Sequence, residues 1–116
     1  MANFTAKDVA LLMTHLKLGK ANAMTSDQLA QLLNLAPQRT NELLRELISY
    51  AIAQGELIGS SSSGYWIIDS RIELDEVLDS LERRAQGTCD RRNRILATWN
   101  ATHPHKPSTL QPKNVV

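Results

Sequence analysis

Asn34-Leu35-Ala36-Pro37 separates two stretches of helical periodicity, and this break constrains the fold more than any other feature of the chain. Before it, Leu29, Leu32 and Leu33 recur at the spacing that puts apolar side chains on one helical face. After it, Thr40, Leu43, Leu44, Leu47, Ile48 and Ala51 do the same. Asn34 suits the left-handed conformation that ends a helix where glycine is absent. Pro37 suits a first helical turn, where its missing N–H costs nothing. Thr25 can cap the first helix, with Gln28 completing a capping box, and Ala30 leaves room for a crossing helix. Leu35 is expected between the two helices. The second is expected to run from Pro37 to about Gln54, with Gly55 ending it. The solvent side of its start then carries Gln38, Arg39, Asn41 and Glu42. Gln, Arg and Asn have forked donors and acceptors that can grip two atoms of one base edge in the DNA major groove. Glu42 has two readings: it can accept from a cytosine amino group, or pair with Arg39 or Arg45 on the surface.

A further helix is expected ahead of this pair. Thr5 can cap it, Asp8 lies near its positive end, and Val9, Leu12, Met13 and Leu16 form its stripe, with Gly19 as the stop. Residues 19–24 are a connector, with an extended piece around Ala23 and Met24. Downstream of the pair, ELIG (56–59) and YWII (65–68) flank a Ser/Gly stretch (60–64), the pattern of an antiparallel hairpin. Tyr65 and Trp66 face opposite sides of such a strand. One is expected to plug the core against the following helix; the other reading is an exposed ring at a partner surface.

From Asp69 the character changes. A long helix is expected to about Asn100, capped by Asp69 or Ser70, with a seam of Leu74, Leu78, Leu81, Ala85, Thr88, Arg92, Ile95 and Trp99. Gly87 weakens its middle and is a candidate bend or break. Residues 69–82 hold six acids against Arg71, and residues 83–106 hold six bases against Asp90. Two such helices laid antiparallel set acid against base, so Leu74, Leu78, Leu81, Ile95 and Trp99 are candidate homodimer contacts. Alternatives remain: a solvated helix, a basic half turned to DNA phosphates, or a helix folded back on its own domain. Residues 101–116 hold three prolines and few large apolar side chains, and read as a disordered tail.

Composition narrows the function classes. A formal charge of +1 lacks the whole-chain cationic signature of indiscriminate polyanion binding. A lone cysteine, Cys89, excludes an intrachain disulfide and fits a reducing cytoplasm. The N-terminus lacks a basic leader ahead of a long apolar run, and no stretch approaches a membrane span. His15, His103 and His105 have no acidic or thiol companions at metal spacing. The serine run lacks the lysine and following helix of a phosphate loop. Neither an enzyme nor a metal or cofactor site is expected.

The order helix, helix, turn, helix, hairpin resembles the winged helix-turn-helix family. The resemblance is carried by Leu29-Ala30, Asn34-Leu35, Arg39-Thr40 and the strand, wing and strand of ELIGSSSSGYWI. GYWIIDSRIELDEVLDSLERRAQG, leading into a charged helix, is similar in texture to small phage- and prophage-encoded members. The resemblance implies a mainly α fold with a small β-hairpin, a winged helix-turn-helix domain over 1–68, a long helix over 69–100 and the tail over 101–116. It also implies sequence-specific binding of double-stranded DNA by a regulator of transcription or replication in a bacterial host's cytoplasm. Gln38, Arg39, Asn41 and Glu42 would then read bases. Thr25, Ser26, Arg45 and the wing serines Ser61, Ser62 and Ser63 would contact the backbone. The same fold also serves as a protein-interaction adaptor that docks on a host or phage partner without DNA.

Overall fold

A computed structural model of the chain describes residues 3–35 and 41–114. Its elements are mainly helical: α1 (Ala6–His15), a single 3-10 turn (Lys20–Asn22), α2 (Ser26–Leu32), α3 (Glu42–Ala53), β1 (Ile58–Ser61), β2 (Gly64–Ile67) and α4 (Arg71–Thr102). The chain divides into two compact units, Met1–Val77 and Leu78–Val116.

In the first unit, α1, α2 and α3 pack around Val9, Leu12, Leu16, Leu29, Ala30, Leu33, Leu44, Leu47, Ile48 and Ala51, with Ile58 added from the hairpin. Most of each periodic stripe therefore faces the core; Thr40 lies outside the described residues, Leu43 is half-buried, and one residue departs clearly. Leu32 is about half exposed, because the apolar side of a two-turn helix is already filled by Leu29, Ala30 and Leu33. Local caps behave as expected. The Thr5 N–H donates to Asp8 Oδ2 at 2.7 Å. Thr25 and Gln28 close the reciprocal capping box, Gln28 N–H to Thr25 Oγ1 at 3.2 Å and Thr25 N–H to Gln28 Oε1 at 3.0 Å.

α1 ends at His15, short of Gly19, because the backbone beyond it pairs with β2 instead. The Ile67 N–H donates to the Lys17 carbonyl and the Gly19 N–H to the Ile67 carbonyl. Met24, in the connector, exchanges two 2.8 Å hydrogen bonds with Tyr65. Backbone pairing outweighs helix continuation here, since buried N–H and C=O groups need partners.

The hairpin is tighter than its sequence implies. Ser60 and Ser61 belong to β1 and pair with Tyr65 and Gly64, leaving only Ser62 and Ser63 as the turn. Ser61 Oγ accepts from the Ser63 N–H at 3.1 Å. Gly64 has φ +119°, and a Cβ there would collide with the Met24 carbonyl. One face of the ribbon, with Ile58, Tyr65 and Ile67, packs on the core. The other carries Trp66, which is 1% exposed and lies over its cross-strand partner Gly59. Trp66 is thus the fully buried ring of the two, but on the face opposite the core cluster, with the Lys20 ammonium 5.9 Å from its ring centroid. Tyr65 is half-buried.

The start of α4 is fastened to the same region. Glu73 accepts from the backbone N–H groups of Lys20 and Asp69, both at 3.0 Å, and Lys20 Nζ sits 3.5 Å from Glu76. These N–H donors hold the Glu73 carboxyl below its ordinary value, with a smaller pull from the Trp66 indole and the Lys20 charge. Among the described residues the indole N–H reaches no acceptor in hydrogen-bond geometry, so its pull on Glu73 is a weak one.

α4 begins in the first unit, supplies the helix of the second, and runs unbroken through Gly87, a candidate bend or break. Its 32 residues include none that is fully buried. The segment beyond Thr102, expected to be a disordered tail, carries no helix or strand, but it turns back and lies along α4. Side chains of the helix satisfy its backbone groups, a contact that composition alone does not encode. No helix among the described residues is long and apolar enough to cross a membrane.

Candidate nucleic-acid interface

Three short pieces of the first unit converge at one edge: the start of α2, the start of α3 and the base of the hairpin turn. The α2 start is fixed by the Thr25–Gln28 box, which leaves Thr25 exposed and Ser26 half-buried at the first helical position. The α2 end is fixed by Asn34, in the left-handed conformation at φ 59° as expected. Leu35 then turns inward, its N–H donating to the Ala30 carbonyl at 2.9 Å, and packs against the core.

Residues 36–40 lie outside the described residues, and with them the expected base-reading side chains Gln38 and Arg39. The described helix begins later than the expected Pro37. Asn41 is its N-cap, with φ 50° and ψ 41°, and Glu42 is its first helical residue. An α-helix cannot continue through a left-handed residue, so Asn41 is a hinge before α3 and not a member of its exposed face. Its side chain is also committed: Nδ2 donates to Asp27 Oδ1 at 2.9 Å. Asp27 in the first turn of α2 was not singled out from sequence. Its one sequence signal was an acid in the first turn of a capped helix.

Glu42 and Arg45 are exposed on the outer face of α3, with Glu46 beside them. Among the described residues Arg45 enters no ion pair. Ser62 and Ser63 are exposed at the hairpin turn, whereas Ser61 is half-buried in β1 with its hydroxyl engaged by Ser63. A Cβ at Gly64 would meet not only the Met24 carbonyl but also the Thr25 nitrogen at 2.9 Å, so the hairpin turn abuts the α2 start. Thr25, Ser26, Asp27, Asn41, Glu42, Ser62 and Ser63 therefore share a neighbourhood through two contacts, Asp27–Asn41 and Gly64 against Met24-Thr25. Polar hydroxyls dominate it, and the acids Asp27, Glu42 and Glu46 offset Arg45.

The expected dimer residues lie on α4. Leu78, Leu81, Ile95 and Trp99 are 53%, 51%, 64% and 44% exposed, while Leu74 is half-buried. Among the described residues, no group of three His, Cys, Asp or Glu side chains is placed to hold a metal ion. No protein-family model, curated protein or solved structure matches the chain.

Proposed function

We propose that the chain is a winged helix-turn-helix protein that binds double-stranded DNA at a preferred sequence. In this reading it is a small regulator of transcription or replication of the phage or prophage kind, working in a bacterial cytoplasm. The observation that carries the reading is the convergence of the α2 start, the α3 start and the hairpin turn, tied by Asp27–Asn41 and by Gly64 against Thr25. Such an arrangement suits a groove-reading helix, because a neighbouring helix and a hairpin can each offer donors to phosphates.

By their side-chain chemistry, and not by any placement, Gln38 and Arg39 are assigned to base edges, together with Glu42. The other roles follow from placement. Thr25, Ser26, Arg45, Ser62 and Ser63 offer hydroxyl, guanidinium and N–H donors to the backbone. Asn41, already bonded to Asp27, sets the entry angle of α3 rather than serving as a free base reader.

Selection of duplexes from a random pool tests the reading. The expected result is one enriched motif, with binding that weakens steeply as salt rises. Arg39→Ala is expected to lose about 1–3 kcal/mol of discrimination at one position of that motif. No enrichment, and no affinity for duplex DNA at low salt, overturns it.

One observation favours a second reading. The described surface around Arg45 carries Glu42, Glu46 and Asp27, a balance better suited to a protein than to a polyanion. In that case the same edge docks a host or phage protein, and DNA affinity is absent at any ionic strength.

A further inference from the structure

The second unit contains an apolar groove built by the returning C-terminal segment. After Thr102 the chain reverses, the Lys106 N–H donating to the His103 carbonyl at 3.0 Å. The returning backbone is then held by side chains of α4. Trp99 Nε1 donates to the Lys106 carbonyl at 2.8 Å, and Asn100 Oδ1 accepts from the Ser108 N–H at 2.8 Å. Arg92 Nη1 donates to the Gln111 carbonyl at 3.0 Å. Asn93 both accepts from the Lys113 N–H at 3.0 Å and donates to its carbonyl at 2.6 Å. Between helix and segment lies an open groove of about 370 Å³ lined by Arg92, Ile95, Leu96, Trp99, Ser108 and Leu110. Its walls are largely apolar, and Ile95 and Leu110 are more than half exposed.

We propose that this groove takes the Leu78–Leu81 stripe of a second copy of the chain, with the two α4 helices antiparallel. Spacing is the first argument. Leu78, Leu81, Ala85, Thr88, Arg92, Ile95 and Trp99 alternate three and four residues apart, the interval that keeps a seam facing a partner helix. A two-fold axis set between Ala85 and Thr88 brings Leu78 opposite Ile95 of the second copy, and Leu81 opposite its Arg92. Each chain then supplies one apolar stripe and one groove, and the contact closes on itself.

Charge is the second argument, and it selects the orientation. Asp79 and Glu82 lie on the same flank of α4 as Asn93 and Asn100, the residues that bracket the returning segment. A two-fold axis perpendicular to both helices keeps each flank on its own side. Asp79 and Glu82 of one chain therefore run beside the returning segment of the other. That segment carries Lys106 and Lys113 and no acid. A parallel pair would instead lay the acidic halves side by side. On the opposite flank the antiparallel pair brings Arg84 near Arg91 of the second copy, a repulsion that supplies a test of its own.

Sedimentation of the full chain and its variants tests the proposal. The wild type is expected to be a dimer, and Leu78→Asp and Leu110→Asp are each expected to weaken it at least about tenfold. Leu110 lies outside every helix and strand, so its substitution leaves the first unit intact. Lys113→Glu is expected to weaken the dimer, with Glu82→Lys in the same chain restoring it, and Arg91→Glu to tighten it. In a Cys89→Ser background, mixed Leu78→Cys and Ile95→Cys chains are expected to form a disulfide-linked heterodimer, while Leu78→Cys alone does not cross-link. A full chain that stays monomeric at about 1 mM, a dimer indifferent to both Leu78→Asp and Leu110→Asp, or efficient cross-linking of Leu78→Cys alone overturns the proposal. None of these outcomes depends on whether the first unit binds DNA.

Discussion

Asp27, in the first turn of α2, accepts a 2.9 Å hydrogen bond from Nδ2 of Asn41, the left-handed residue that opens α3. The bond spans a 14-residue separation and ties the N-cap of α3 to the first turn of α2. An exposed neutral-to-charged hydrogen bond contributes on the order of 1 kcal/mol. Asp27→Ala is therefore expected to lower stability by about that amount in urea titration. Asn41→Gly keeps the left-handed backbone at no steric cost, so it is expected to lose the bond alone and match Asp27→Ala. An additive double variant would show the two side chains to be uncoupled.

The base of the hairpin turn tolerates no side chain. At Gly64 both φ +119° and the Met24 carbonyl exclude a Cβ, and at Gly59 a Cβ would lie 2.7 Å from the Trp66 ring. Gly64→Ala is expected to cost at least about 2 kcal/mol, from an unfavourable φ and from loss of the Met24–Tyr65 pairing. Gly59→Ala is expected to displace Trp66, with a red-shifted fluorescence maximum reporting its exposure. A Gly64→Ala variant as stable as the wild type in thermal unfolding would contradict the packing described at this turn.

Gly87 is the opposite case. It sits inside α4, its Cβ position meets no atom within 4 Å, and the helix continues through it. Alanine there removes backbone freedom from the unfolded chain without a clash, so Gly87→Ala is expected to stabilise α4 by roughly 0.5–1 kcal/mol. Circular dichroism during thermal unfolding would register the gain.

The parts of this fold legible in the sequence are those decided within a turn or two of the chain. The Thr25–Gln28 box, the left-handed Asn34 and the inward stripes of α1 and α3 are local chemistry and simple periodicity. The parts that were not legible depend on distant backbone. α1 stops early because residues 17–19 pair with Ile67, and the serines join the hairpin because strand pairing is indifferent to side-chain type. The N-cap of α3 is tied to Asp27, far back in the chain. The return of the C-terminal segment depends on Asn93, Trp99 and Asn100 binding backbone groups, for which prolines and polar residues gave no signal. Of the candidate interface, Thr25, Ser26, Arg45, Ser62 and Ser63 are exposed or partly exposed. Asn41 and Ser61 are already engaged within the protein.

Acid should loosen the junction between the 3-10 turn at Lys20 and the start of α4. Glu73 is held below its ordinary value of 4.5, chiefly by the N–H groups of Lys20 and Asp69 that it accepts in the folded state. A carboxyl depressed on folding adds stability that is fully present above its unfolded value. That stability is lost as pH falls through the lower folded value. The wild type is therefore expected to lose stability below about pH 4.5 relative to Glu73→Gln, which has no proton to take up. Above that pH the gap between the two should be constant and favour the wild type, because the amide accepts at one oxygen where the carboxylate accepts at two. Denaturant titrations of both proteins from pH 7 to pH 3 read this directly. Parallel pH profiles would mean that Glu73 gains nothing from these donors on folding.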